Sequence, residues 1–251
     1  MTAELPCRLI PWHRERSTWP TWAISAWSAS VRSTSTIRLQ AATFDRDGVL
    51  TYFDLAAAIA YFQPLIPVGM DELIRRWQAW GLAVGFPSSV EAEVEFWRGY
   101  WDQLGADLGL ATSVRSELRS FDYTTVIRAY PDARPALLYA RECGLRIGVL
   151  SNFSLATLEA SLHSAGLADL VDVACAAPVI GAAKPDPAAY QAVLRALSVG
   201  PEAAVFFDDE APCVAGARAI GLRAYLVDRA GAEFADGTIH DLSVLPTILD
   251  R

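Results

Sequence analysis

Asp45 and Asp47 stand two residues apart in the run Asp45-Arg46-Asp47-Gly48-Val49-Leu50-Thr51. Two carboxylates so placed at the expected end of a strand could do acid–base work or hold a divalent cation. Gly48 allows a turn or a close approach of backbone. A calcium loop would need an acid or amide at position 49 and Glu at 56, where the chain has Val49 and Ala56. An Asx turn is the purely structural reading. Three further segments carry groups suited to the same chemistry: Ser151-Asn152 behind Val149-Leu150, Lys184 in Gly181-Ala182-Ala183-Lys184-Pro185-Asp186-Pro187, and Asp208-Asp209 behind Phe206-Phe207. Each also has a local explanation, respectively a helix cap, a turn before a proline-started helix, and an N-cap. Lys184 is the one lysine among 21 basic residues, and chance survival of a compositional bias is its simplest account.

Groups this far apart need a scaffold that returns the chain repeatedly to one edge. Apolar runs over residues 37–44, 145–150, 171–176, 203–207 and 222–227 read as strands, and three of them lead into Asp45, Ser151 and Asp208-Asp209. Helices are expected at 133–143, 155–165 and 187–197, the first two closed by Gly144 and Gly166. Alternating strands and helices predict an α/β fold with a doubly wound parallel sheet, whose ligand site lies beyond the carboxyl ends of the strands. Residues 54–130 read instead as all-helical, with helices at 55–62, 71–80, 90–104 and 113–121. There Phe96 with Tyr100 and Trp97 with Trp101 form two i,i+4 pairs, a stripe expected to be packing core rather than a substrate wall.

Together and in order, Asp45-x-Asp47-Gly48-Val49-Leu50, Leu150-Ser151-Asn152, Lys184-Pro185-Asp186-Pro187 and Phe206-Phe207-Asp208-Asp209 resemble the four motifs of the haloacid dehalogenase-like (HAD) hydrolase superfamily, across about residues 39–229. The resemblance implies a Rossmann-like catalytic core at 37–53 and 131–251. The insertion at 54–130 resembles the helical cap of the family's first cap class, which closes over the site and excludes water. By the same resemblance Asp45 is the nucleophile that forms an aspartyl-phosphate, and Asp47 the general acid and base. Mg2+ would be held by Asp45, the main-chain carbonyl of Asp47, and Asp209, with Asp208 in or beside that shell. The Ser151 hydroxyl and the Asn152 amide would bind phosphoryl oxygens, and the Lys184 ammonium would neutralise nucleophile and phosphate together. The activity so implied is magnesium-dependent hydrolysis of a small phosphorylated metabolite. A 2-haloacid dehalogenase, a phosphoglucomutase-like enzyme and a catalytically idle binding protein are the alternatives. Halide displacement needs neither magnesium nor an acid, so Asp47 and the Asp208-Asp209 pair favour the phosphatase.

Two departures from the family pattern stand out. Cys213 occupies the position four residues after Asp209 where the family often has an acid or asparagine. Arg46, between the two aspartates, is expected to turn away from the site by strand alternation. In the insertion, Arg75, Arg76, Arg98, Arg115, Arg119 and Arg128 are candidates for an anionic substrate.

The 251-residue chain carries a net charge of −8, with five arginines against two glutamates in residues 1–40 and −11 in the remainder. That balance argues against a nucleic-acid partner. No apolar run reaches the ~20 residues of a spanning helix, so no membrane partner is expected. Four dispersed cysteines (Cys7, Cys143, Cys175 and Cys213) give neither a disulfide framework nor zinc-ligand spacing, and suit a cytoplasmic setting. Residues 1–36, with ten Ser/Thr at 17–36 and the aperiodic Trp12, Trp19, Trp22 and Trp27, read as a disordered leader.

Overall fold

Ala41, Ala42, Thr43 and Phe44 are all buried, as a strand covered on both faces must be. The computed structural model describes residues 8–9, 38–231 and 237–250. Strands β1 (Arg8–Leu9), β2 (Ala41–Phe44), β5 (Arg146–Ser151), β6 (Val173–Ala176), β7 (Ala204–Asp208), β8 (Arg223–Val227) and β9 (Thr238–Ile239) form one sheet in the order β1-β6-β5-β2-β7-β8-β9. The six strands β6 to β9 in that order are parallel, and β1 joins the edge antiparallel to β6. The chain builds outward from β2 on one side through β5 and β6, then crosses to the other through β7. That reversal makes the carboxyl end of β2 the switch point where such sheets take ligands.

Helices α5 (Ala133–Glu142), α6 (Leu158–Ser164) and α10 (Leu245–Leu249) pack with Ala42, Phe44, Val149 and Phe207 on one face. On the other, α8 (Pro187–Leu197) and α9 (Ala211–Ala219) pack with Ala41, Leu150 and Phe206. The period-2 alternation along β2, β5 and β7 thus feeds two cores. A short α7 (Ala177–Ile180) links β6 to the Lys184 loop. Asp186 accepts from Ala188 N and Pro187 opens α8, as the sequence indicated. Helix α6 starts three residues later than expected, because the Ala156 and Thr157 amides bond a side chain of the insertion instead of continuing a helix.

The insertion holds α1 (Leu55–Phe62), α2 (Met70–Val84), α3 (Val90–Asp107) and α4 (Thr112–Arg119), gathered around Phe62, Leu73, Tyr100, Trp101 and Leu118. It is not all-helical. Residues 127–129 form β4 (Ile127–Ala129), antiparallel to β3 (Thr51–Phe53), so both crossings between insertion and core run through one two-stranded ribbon. Backbone pairing between segments 76 residues apart overrides local propensity there.

Most of the leader lies outside the described residues, including its four tryptophans. Arg8–Leu9 nevertheless supply an edge strand that the serine-rich composition did not announce, since edge pairing uses backbone groups any sequence has. Cys143 and Cys213 are free thiols, whereas Cys175 is disulfide-bonded, against the expectation from cysteine spacing.

Candidate active site

The carboxyl ends of β2, β5 and β7 bring the dispersed motifs to one edge. Asp45 extends the β2–β7 ladder by one bond, its N–H donating to Phe207 O at 2.8 Å, and the chain then turns sharply. Leu50 N and Thr51 N both donate to Arg46 O, and Gly48 takes φ +73. Glycine is required there twice over, by that left-handed backbone and because a Cβ would lie 2.0 Å from Asp209 Oδ2. Arg229, beyond β8, clamps this turn from outside. Its guanidinium donates to Gly48 O and Val49 O at 3.0 and 2.6 Å, pairs with Asp132, and stacks on the Tyr130 ring. Nothing local in the sequence marks Arg229, which acts on a segment about 180 residues away.

Lys184 Nζ sits 2.9 Å from Asp45 Oδ1 and 2.6 Å from Asp208 Oδ2, almost wholly buried. Asp208 also accepts from Glu210 N at 2.8 Å, so it is the lysine's partner as much as a candidate metal ligand. Cys213 does not contact Lys184: its buried thiol donates to Glu210 Oε2 at 3.1 Å, close to Asp208, and burial pushes it up from the ordinary thiol range. Asn152 fixes the lysine's backbone through its side-chain amide. The Ser151 hydroxyl oxygen accepts from Phe153 N at 3.1 Å, which leaves its own hydrogen to donate.

Burial raises the Asp45 carboxyl to about 7, against the lowering effect of Lys184. Asp208 and Asp209 are raised too, each mainly by burial. Burial alone would lower Lys184, but the charges of Asp45 and Asp208 outweigh it and raise it. Oxygens of Asp45, Asp208 and Asp209 lie within 4.8 Å of one another. With all three ionised, one ammonium leaves two negative charges uncompensated. Asp45 Oδ1 is buried, with the Lys184 ammonium 2.9 Å away as its partner. An all-oxygen cluster of three carboxylates with excess negative charge fits a hard divalent cation.

Arg46 does not turn away. β2 ends at Phe44, so strand alternation no longer governs position 46. Its guanidinium is buried, pairs with both Asp47 carboxylate oxygens at 3.1 and 2.5 Å, donates to Ser161 Oγ, and stacks 3.7 Å over Phe153. Asp47 itself is about half exposed. Both line a cavity of about 250 Å³ under the insertion. Trp97, Tyr100 and Trp101 line it as well, so three of the four stripe aromatics serve as its wall while also packing the insertion. None of the six insertion arginines lines it; five are ion-paired with acids and Arg115 donates to Leu110 O.

Glu93 on α3 was not singled out by sequence. It is buried, and its carboxylate accepts from Ala156 N, Thr157 N and Thr157 Oγ1 at 2.7 to 2.9 Å, fastening the insertion to the start of α6. A glutamate in a helix rich in acids carries no sequence signal of such a contact.

The family model of the haloacid dehalogenase-like hydrolases matches residues 39–221. Phosphatase MT3486 of Mycobacterium tuberculosis is 45% identical over 215 residues, covering 84% of this chain and 97% of that protein. (S)-2-haloacid dehalogenase 1 of Pseudomonas sp. is 26% identical over 76% of this chain and 85% of its own length. Among solved structures, a HAD phosphatase from Thermococcus onnurineus superposes with TM-score 0.56 at 23% identity, over 84% of this chain and 98% of that one. That likeness concerns the fold.

Proposed function

The chain belongs to the haloacid dehalogenase-like hydrolases, and we propose that within that family it is a magnesium-dependent phosphatase acting on a small phosphorylated metabolite through an aspartyl-phosphate. The observation that carries this reading is the coexistence of a second carboxylate, Asp47, with the acidic cluster of Asp45, Asp208 and Asp209. Displacing halide from carbon calls for neither. Asp45, Asp209, the Asp47 carbonyl and Asp208 would hold Mg2+, which when bound supplies charge neutralisation for the attack of a carboxylate on a phosphoryl dianion.

In the first step an Asp45 carboxylate oxygen forms a bond to phosphorus and the ester P–O bond breaks. The electron pair leaves on the alcohol oxygen, which takes a proton from Asp47. In the second, Asp47 removes a proton from water as that water attacks the phosphorus of the aspartyl-phosphate, and Asp45 is released. Asp47 must give up its pairing with Arg46 to do this. Lys184 neutralises the nucleophile beforehand and the phosphoryl oxygens as they gather charge. Ser151 donates its free hydrogen to one of those oxygens, with the Asn152 amide beside it.

A hydrolytic dehalogenase is the second reading, favoured by the apolar cavity with Arg46 at its edge. A panel of phosphate esters and 2-haloacids, assayed with and without Mg2+, separates the two: phosphate release that stops in excess chelator is expected, and metal-independent halide release overturns the phosphatase reading. The free thiols of Cys143 and Cys213 suit the cytoplasmic setting we propose, with the Cys175 disulfide as its counter-indication. Among the described residues no helix is long and apolar enough to cross a membrane.

A further inference from the structure

The cavity beside Asp47 has a chemical character that restricts what can occupy it. Apart from the Arg46–Asp47 pair its wall is ring and hydrocarbon, including Phe53, Phe62, Trp77, Trp97, Trp101 and Phe153. The polar edges of several lining rings are already spent on the protein. Tyr100 donates to Leu73 O at 2.9 Å, Tyr123 bonds Thr157 Oγ1 at 2.7 Å, and Trp97 Nε1 donates to Glu93 Oε1 at 3.3 Å. The indole N–H groups of Trp77 and Trp101 are buried donors without an acceptor.

A sugar, polyol or amino-acid ester would carry several hydroxyls or an ammonium into a space whose polar groups, the Arg46–Asp47 pair and two buried indole N–H donors, are too few to replace their water. A flat apolar body loses no such bonds and gains contact with aromatic faces. Size allows it, since an apolar cavity of about 150 Å³ already admits benzene and this one is about 250 Å³. Access allows it as well: Phe53 and Ile74 line the cavity yet remain 42% and 39% exposed, so the space reaches solvent at its rim. Asp47, the proposed donor to the departing oxygen, lies in the same wall, which places that oxygen's substituent here.

Resting on the phosphatase reading above, we propose that the ester hydrolysed by this protein has an aromatic or similarly flat apolar leaving group with few polar atoms, seated in this cavity between Arg46–Asp47 and the tryptophans of the helical insertion. Small polyhydroxy phosphates are then poor substrates.

The test compares 2-phenylethyl phosphate with ethyl phosphate and glycerol phosphate on the full chain with Mg2+. All three, with glycerol phosphate taken as the 1-phosphate, release primary alcohols through the same protonation by Asp47, so ring burial rather than leaving-group reactivity sets the ratio. A kcat/KM advantage of roughly 10- to 100-fold is expected for the phenylethyl ester, the worth of burying one ring. Calorimetry should show 2-phenylethylphosphonate binding at least about tenfold tighter than methylphosphonate. Phe53→Ser and Ile74→Asn, at the exposed rim where folding tolerates change, should narrow both ratios with the melting temperature held. Equal turnover of all three esters overturns the cavity assignment and leaves the phosphatase reading standing. A phosphonate preference with no ester hydrolysed supports the apolar site and overturns the phosphatase reading.

Discussion

The side-chain amide of Asn152 and the backbone of Lys184 exchange two hydrogen bonds, Oδ1 accepting from Lys184 N at 2.8 Å and Nδ2 donating to Lys184 O at 2.9 Å. One residue of the second motif thereby sets where the ammonium of the third can stand. Asn152→Ala keeps the main-chain amide expected to bind phosphate but frees the lysine loop. We expect kcat to fall by roughly 10- to 100-fold, the usual cost of a misplaced group, with KM for the ester changing less. Lys184 is the chain's only lysine, so peptide mapping after amine acylation reads its exposure directly. Faster acylation of Lys184 in the variant confirms the positioning role, and an unchanged rate refutes it.

Asp45→Asn should abolish turnover by several orders of magnitude, since an amide neither attacks phosphorus nor offers an anionic ligand. It should also stabilise the metal-free protein, by on the order of 1–3 kcal/mol near pH 8. The sign follows from a folded carboxyl raised from 3.8 to about 7. Its contribution to stability is intact below the unfolded value and lost as pH rises through the folded one. The melting-temperature gap between variant and wild type should therefore be small near pH 4 and open toward pH 8. A gap that shrinks over that range contradicts the burial of Asp45 as a strained charge.

Asp47→Asn should lower kcat by roughly 100-fold or more on alkyl phosphates, where the departing oxygen needs its proton. An activated aryl phosphate should suffer less. Equal losses on both would assign Asp47 a structural role beside Arg46 instead.

Glu93 holds the insertion against the core through three bonds to Ala156 and Thr157. Glu93→Gln replaces one acceptor oxygen by a donor facing donors, at a cost of about 1–3 kcal/mol. Hydrogen exchange should accelerate at the amides of residues 156–158 before anywhere in β2 or β5. Unchanged protection there would show that contacts other than Glu93, such as the ribbon of β3 and β4 and the Tyr123–Thr157 bond, keep the insertion closed.

Much of this protein is written locally. The apolar runs before Asp45, Ser151 and Asp208, the glycine stops, and Pro187 behind Asp186 determine where strands end and helices begin, because capping and periodicity act over a few residues. In a parallel sheet those strand ends share an edge, so the meeting of Asp45, Ser151 and Asp208 was legible before any coordinates, whereas Lys184, in a loop at no strand end, was brought to them only by the resemblance of its motif. What the turn after Phe44 does with Arg46 was not, because the periodicity that orients side chains stops where the strand stops. Nor were the pairing of Lys184 with Asp208, the reach of Glu93 to the start of α6, or the grip of Arg229 on Gly48 and Val49. Each joins segments whose approach is chosen by packing and by burial of charge. The aromatic stripe shows the limit most plainly: its spacing fixes one face of α3, and only the insertion's placement over the sheet edge makes Trp97 and Trp101 the wall of a cavity as well as its core.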